Sequence, residues 1–222
     1  MKVVLRSRKR EKMGSDECYQ FNVKVYDILD QIYFRKAVTS PRTAVISVLG
    51  DEPIKVLDMC TGTGVNAFAI AGARTNAEVI GIDISDAMLQ KATAKLEQEE
   101  ISNVKLIHMN AANLQFPSDE FDVVLISLVL HEISPDLAGQ LLGEARRVLK
   151  NAGKLIVVEW EEPLNLFKRI PFYLVKKTEP AGFEDFLKCD LEQYFFRFGF
   201  EIKKTIHCDY SKVMVLEKND HL

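Results

Sequence analysis

The sequence is poor in cysteine and contains no long apolar run. Its four cysteines are scattered, with neither a CxxC pair nor the His/Cys spacing of a metal site, which favours a reducing compartment and predicts no bound metal. No apolar stretch approaches the roughly 20 residues that a membrane span requires. The N-terminus also lacks the apolar core and cleavage site of a signal peptide. These absences predict a cytoplasmic protein.

A large excess of either charge is also missing, since the formal net charge is −3 at pH 7. Nucleic acid is therefore not expected as a partner of the whole domain. The N-terminus is a local exception, and its basic residues are Lys2, Arg6, Arg8, Lys9, Arg10 and Lys12. Two interpretations stay open: a solvated, frayed terminus, or contact with an anionic lipid surface or substrate.

The most informative segment runs from Asp58 to Gly64, where a buried strand ends at an acid and a glycine turn leads into a helix. Such a turn lets backbone N–H groups and a helix N-terminus face a ligand. The carboxylate of Asp58 would repel a pyrophosphate but attract an amino group and a sulfonium. The segment therefore favours S-adenosylmethionine over a dinucleotide.

Apolar runs of strand length alternate with segments of helical period through the middle of the chain. The predicted strands are 54–59, 78–82, 104–108, 121–128 and 154–159, and the predicted helices are 65–73, 85–98 and 135–150. Ser85 is the expected N-cap of the second helix. This alternation predicts an α/β fold, a Rossmann-like doubly wound sheet of seven strands that is mostly parallel.

The end of the chain departs from that alternation. After a helix near 183–198, the strand-like segments 200–208 and 212–217 are separated by a short polar turn. Because so short a gap cannot hold a crossover helix, we expect an antiparallel C-terminal hairpin. A dinucleotide-binding dehydrogenase would be expected to finish with parallel strands, so the hairpin also disfavours a nucleotide-dependent oxidoreductase.

Two further segments are expected near the carboxyl ends of the strands, where ligands bind in open α/β sheets. Residues 1–53 are predicted to form a helical extension or lid, followed by a single domain over 54–222. Residues 160–182 form a proline- and aromatic-containing variable segment.

Several motifs in the right order resemble the class I S-adenosylmethionine-dependent methyltransferases. They are the glycine loop, the acid Asp83 at the end of the second strand, the Phe-Asp strand at 121–122, and the Arg-Val-Leu-Lys-x-x-Gly turn at 147–153. Within that class the chain is similar to the type-11 group, which includes ubiquinone/menaquinone C-methyltransferases and some phospholipid N-methyltransferases. Residues 21–27 are similar to the opening segment of the quinone-ring enzymes, which forms a lid over the cofactor.

The resemblance implies S-adenosyl-L-methionine as cofactor and S-adenosyl-L-homocysteine as product. Asp58 would bind the ammonium group, Asp83 would accept both ribose hydroxyls, and Asn110 and the Ala111 backbone would bind adenine. The implied cofactor-binding set is Asp58, Cys60, Thr61, Gly62, Gly64, Asp83, Ile84, Met88, Asn110, Ala111, Ala112, Ser127 and Leu128. Cys60 and Asn110 depart from the glycine and aspartate that are usual in the family.

His131, just past the fourth strand, is the main catalytic candidate, because imidazole titrates near neutrality and can remove a proton or hydrogen-bond an acceptor. The alternative is a histidine that packs under the following helix. Tyr26 and Tyr33 are further candidates, whereas His108 is expected to be structural. Glu159, Trp160 and Glu161 are expected to border the acceptor pocket, most simply as a solvated rim; the alternative is that the two acids suit an acceptor cation.

The sequence thus predicts an enzyme that transfers a methyl group to a small-molecule or lipid-like acceptor by in-line displacement. The alternative is a protein that binds S-adenosylmethionine as a sensor or partner without methyl transfer. Peripheral membrane contact is compatible with the sequence, while the acceptor atom, the need for a base and the oligomeric state stay open.

Overall fold

The computed structural model describes residues 39–180 and 182–219 and has a seven-stranded sheet at its centre. The strands are β1 (Lys55–Met59), β2 (Glu78–Asp83), β3 (Val104–His108), β4 (Phe121–Ser127), β5 (Leu149–Trp160), β6 (Phe200–His207) and β7 (Ser211–Lys218). Their spatial order is β3-β2-β1-β4-β5-β7-β6. The first five are parallel, and β7 lies antiparallel between β5 and β6. The predicted fold and its closing hairpin are confirmed.

Helices flank the sheet in the described part of the chain. They are α1 (Pro41–Val48), α2 (Val65–Ala73), α3 (Asp86–Glu99), α4 (Pro135–Val148), α5 (Leu166–Thr178), α6 (Phe183–Leu187) and α7 (Leu191–Phe196). Side-chain caps fix several of their starts. Ser85 is the N-cap of α3, as predicted, and its hydroxyl accepts a hydrogen bond from the Met88 N–H at 3.3 Å.

The sheet is buried on both faces, which explains the near-continuous apolar strands. In β4, Val124 and Ile126 pack into a core that includes residues of α4 and α7. Val123 and Leu125 point to the opposite face, into a core that includes residues of α1 and α2. The alternation along one strand therefore joins two helical layers to a single sheet.

Three predicted boundaries differ from the structure. The helix expected over 183–198 is two short helices, because the Asp190 side chain accepts a hydrogen bond from the Gln193 N–H and so caps a new helix start. The segment 160–182 contains α5, which continues through Pro171. β5 begins at Leu149 instead of residue 154, because Leu149 already pairs with Phe121 across a register irregularity.

The strand order reverses between β1 and β4, so their carboxyl ends open a crevice at one edge of the sheet. The segments that follow β1, β2, β3 and β4 meet at this edge together with the end of β5. All predicted site residues except Tyr26 lie at the carboxyl ends of these strands or in the segments that follow them. Tyr26, Tyr33 and most of the predicted lid fall outside the described residues, and the domain division at residue 53 stays a prediction.

Candidate active site

The turn after β1 adopts a backbone that requires glycine at one position and leaves open space at another. Gly64 has φ +79°, and a Cβ there would lie 2.4 Å from the Phe68 ring. Gly62 has φ +57°, and a Cβ there would meet nothing within 4 Å. Gly64 is needed for packing, whereas Gly62 borders the crevice, where a ligand could come close to the backbone.

Cys60 takes the left-handed conformation as well, with φ 59°, a geometry that costs a non-glycine residue roughly 1 kcal/mol. Its side chain packs against the main core, so it does not block the outer side of the turn. Burial, with the nearby Asp83 carboxylate, raises the pKa of the Cys60 thiol to about 12. Cys60 therefore stays a neutral thiol at physiological pH.

Asp58 is a buried carboxylate at the end of β1, with 1% of its surface exposed. The Thr61 hydroxyl donates a hydrogen bond to Asp58 Oδ2 at 2.6 Å. Burial, to which the Asp83 charge adds, raises the pKa of Asp58 to about 7 despite that hydrogen bond. A cation bound beside Asp58 would offset this penalty, so the residue fits a ligand that carries an ammonium group.

Asp83 joins the turn after β1 to the segment after β2. Its Oδ2 accepts a hydrogen bond from the Gly62 N–H at 2.8 Å, and its Oδ1 accepts one from the Ser85 N–H at 2.9 Å. Each carboxylate oxygen offers more than one acceptor direction. Both oxygens are thus held in position while retaining the capacity to accept a further hydroxyl.

The neighbouring loops place the other predicted cofactor residues along the same edge. Ile84 is 59% exposed, and its carbonyl lies 2.9 Å from Nε2 of His108, whose structural role stays a prediction. The Asn110 side-chain oxygen accepts a hydrogen bond from the Ala112 N–H at 2.9 Å, while Ala111 is buried. Asn110 thereby shapes its own turn.

The segment after β4 brings His131 to the end of β5. Leu128 turns the chain with φ 57° and donates its N–H to the Val158 carbonyl at 2.8 Å. His131 Nδ1 then lies 2.6 Å from Glu159 Oε2, and the Leu130 N–H donates to Glu159 Oε1 at 2.9 Å. The His131 and Glu159 side chains are each 1% exposed, so this is a buried, oriented pair.

The other ring nitrogen of His131 faces α5 and α6. Its Nε2 lies 3.4 Å from the carboxylate of Glu179, the residue that ends α5. Phe183 packs edge-on against the imidazole with ring centroids 5.3 Å apart. Burial disfavours the charged ring, but Glu159 and Glu179 outweigh it and raise the pKa of His131 to about 10. His131 is therefore an imidazolium at neutral pH, a hydrogen-bond donor at both nitrogens.

Potential metal-ligating atoms also occur here, because those of His131, Glu132 and Glu179 lie within 4.8 Å of one another. The charge attraction between the imidazolium and the carboxylates accounts for this spacing without a cation.

The structure brings together the residues predicted at the ends of β1 to β5, with two corrections. Glu159 and Trp160 are buried instead of forming a solvated rim, whereas Glu161 is partly exposed and lies 2.8 Å from His207. Glu179 and Phe183 were missed. The position of Glu159 at the end of the apolar run of β5 was a sequence signal for a buried acid. Glu179 had no such signal, because only the packing of α5 brings it to His131.

Comparison with known proteins identifies the class of protein that this fold and site define. The family described as "Methyltransferase domain" matches residues 56–153. A demethylmenaquinone methyltransferase of Shouchella clausii is 30% identical over 175 residues, covering 78% of this chain and 74% of that protein. A demethylmenaquinone methyltransferase of Geobacillus sp. is 36% identical over 142 residues, covering 63% of this chain and 59% of that protein. The chain thus spans less than two thirds of the Geobacillus relative.

A solved S-adenosylmethionine-dependent methyltransferase from Aquifex aeolicus shares the fold, with a TM-score of 0.68 and 17% identity over 88% of this chain and 96% of that one. The chain belongs to the class I S-adenosylmethionine-dependent methyltransferase family, whose cofactor is S-adenosylmethionine. The site fits this cofactor, because Asp58 is a buried carboxylate suited to an ammonium and Asp83 is a preformed acceptor of hydroxyls. Across residues 39–180 and 182–219, none of the helices combines the length and apolarity needed to cross a bilayer.

The buried charge of Asp58 yields a prediction about stability. A carboxyl whose pKa is raised on folding destabilises the native state increasingly as pH rises from its unfolded value toward about 7. We expect Asp58→Asn to raise the Tm of the ligand-free protein at pH 8 by about 2–5 °C and to weaken S-adenosylmethionine binding about tenfold or more. Calorimetry measures both quantities.

The matched control is Asp136→Asn, an exposed acid in the first turn of α4, which should change the Tm by less than about 2 °C and leave binding unchanged. A lower Tm of Asp58→Asn at pH 8 would show instead that the hydrogen bonds of the Asp58 carboxylate outweigh its burial.

Proposed function

We propose that this protein transfers the methyl group of S-adenosylmethionine to a quinol-like or phenolic small molecule. The observation that carries the proposal is the buried His131–Glu159 pair at the carboxyl ends of β4 and β5, beside the turn of Asp58. The names of the relatives, demethylmenaquinone methyltransferases, support an acceptor of the menaquinone kind. A positioned imidazolium suits an acceptor oxygen that carries or develops negative charge.

In the proposed cofactor site, Asp58 faces the ammonium group and Asp83 accepts the two ribose hydroxyls. The exposed side chain of Ile84 and that of Met88 cover adenine, while Asn110 and the Ala111 backbone hydrogen-bond its edge. The open side of Gly62 is consistent with a ligand lying against the turn. Ser127 and Leu128 border the methionine portion by position, next to His131.

When bound, S-adenosylmethionine supplies an electrophilic methyl carbon attached to a sulfonium. The protein aligns the acceptor for in-line displacement and excludes water from it. An acceptor that binds as its phenolate has already released its hydroxyl proton to solvent, and His131 Nε2–H would donate a hydrogen bond to that oxyanion and orient it. Glu159 holds the imidazole through Nδ1–H and keeps it charged, while Phe183 fixes the ring plane.

The role of Asp83 is tested by removing its carboxylate. Asp83→Ala deletes both ribose acceptors and the two hydrogen bonds that hold Gly62 and Ser85, so we expect S-adenosylmethionine binding to weaken about tenfold or more. Isothermal titration measures the affinity, with Asp86→Asn, an exposed neighbouring acid, as control. Unchanged affinity of Asp83→Ala would remove the ribose assignment.

The proposed reaction is tested by the release of S-adenosylhomocysteine from the full chain. We expect release in the presence of quinols or simple phenols, and little with phospholipid amines, because the imidazolium favours an anionic oxygen over a neutral amine. Cofactor binding without release for every acceptor class would favour the alternative of a sensor or partner protein.

The role of His131 is tested with the active acceptor. We expect His131→Ala to lower kcat by about 10²–10⁴-fold while S-adenosylmethionine affinity stays within about twofold. His207→Ala, an exposed histidine paired with Glu161, is the matched control and should retain full turnover. A parallel loss of cofactor affinity in His131→Ala would make its role structural.

The pH profile separates a donor from a base. Since the pKa of His131 is raised to about 10, turnover that needs the imidazolium should be flat near neutrality and fall as pH rises through about 10. Glu159→Gln keeps an acceptor for the Leu130 N–H but removes the charge that holds a proton on the ring, so it should move this fall to lower pH. A rate that rises with pH up to 10 would instead identify neutral His131 as a base.

A further inference from the structure

Helix α5 exposes a continuous apolar stripe. The side chains concerned are Leu166 (72% exposed), Phe167 (85%), Ile170 (72%), Tyr173 (57%) and Leu174 (61%). Their spacing of three and four residues places them on one side of the helix, which we call the α5 apolar face. Leu164, at 94% exposure, lies just before the helix. Large exposed apolar patches of this kind mark interaction sites in folded proteins.

The opposite side of the same helix packs toward the candidate active site. Phe172 and Val175 are each 1% exposed and join a cluster with Trp160 and Phe183. Phe183 in turn contacts the His131 ring. α5 is therefore anchored beside the acceptor site by one face while its other face is open to solvent.

The charged residues of α5 indicate which kind of partner its apolar face fits. The helix contains Lys168, Arg169, Lys176 and Lys177 and no acidic residue. Lys168 pairs with Asp209, and Arg169 and Lys176 both lie near Glu162. Lys177 lies over the Tyr173 ring at 4.5 Å, at the border of the apolar face. An apolar stripe flanked by basic side chains is typical of a helix that lies in the interface of an anionic bilayer.

We propose that the α5 apolar face docks on a lipid bilayer that carries anionic headgroups. This deepens the proposed function, since a quinol-like acceptor with an apolar tail would be delivered from the bilayer next to His131. Charge disfavours two other occupants. Residues 1–38 contain nine Lys/Arg against five Asp/Glu, and the α5 of a second copy is equally basic, so both would be repelled.

Flotation of the full-length chain with phosphatidylcholine vesicles, with and without phosphatidylglycerol, tests the proposal. We expect binding to vesicles that contain phosphatidylglycerol and release at high salt. The double substitution Phe167→Ser/Ile170→Ser should lower the bound fraction about tenfold with no change in Tm. Phe196→Ser, at a 50% exposed aromatic on α7, is the matched control and should bind like the wild type.

A second pair of variants tests the charge. Lys177→Glu should weaken binding to the anionic vesicles several-fold, whereas Lys204→Glu, at an exposed lysine on β6, should not. If the two lysine variants weaken binding equally, binding depends only on the net charge of the protein. The α5 apolar face is then not the docking surface.

Four other outcomes would also overturn the proposal. Wild-type protein that stays unbound, or a double variant that binds like the wild type, excludes α5 as the lipid surface. A double variant with a lowered Tm indicates that residues 1–38 cover the face, and one that dissociates a wild-type dimer indicates a second copy. Flotation measures membrane binding and needs no methyl transfer. The protein can therefore fail to bind vesicles and still methylate a water-soluble quinol, or bind vesicles and methylate no quinol.

Discussion

The arrangement of the site depends on the hydrogen bonds that Asp83 accepts. One oxygen takes the N–H of Gly62 and the other takes that of Ser85, so a single carboxylate fixes the turn after β1 against the start of α3. Both turns contain backbone that would otherwise leave N–H groups without partners at the edge of the sheet. Because backbone N–H groups donate to both oxygens, the Asp83 carboxylate is held in one position. The same carboxylate that organises the turns is therefore ready to orient a ligand.

Two buried acids occupy the edge of the sheet, and their environments differ. Asp58 has the Thr61 hydroxyl and the Ala67 backbone N–H as partners, and burial raises its pKa to about 7. Glu159 faces the His131 imidazolium and the Leu130 N–H. Buried charges of this kind contribute little net stability, since desolvation offsets their attraction. The proposed function accounts for their presence: Asp58 would be matched to the ammonium group of the cofactor, and Glu159 would keep the imidazole charged and oriented.

The sequence was most informative where a local pattern determines the structure. The acid and glycines from Asp58 to Gly64, the cap Ser85 and the closing hairpin all depend on neighbours in the chain, and each was predicted. Contacts between distant segments were not predictable. Glu179 approaches His131 because α5 packs on Trp160 and Phe183, and no local signal records that packing. Burial of Glu159 likewise depends on β7 pairing beside β5, which covers the end of the strand.

The position of Glu179 limits which acceptors His131 can serve. Its carboxylate lies 3.4 Å from Nε2, the only ring nitrogen that Glu159 does not engage. In the proposed reaction, an acceptor oxygen bound to Nε2 would replace the Glu179 carboxylate as the negative partner of the ring, in a surrounding where charge attraction is strong. A neutral amine cannot replace the negative charge of Glu179, whereas an ionised phenolic oxygen can. In the proposed function, these electrostatics favour an acidic hydroxyl as the group nearest to the methyl acceptor atom, an argument separate from the names of the relatives.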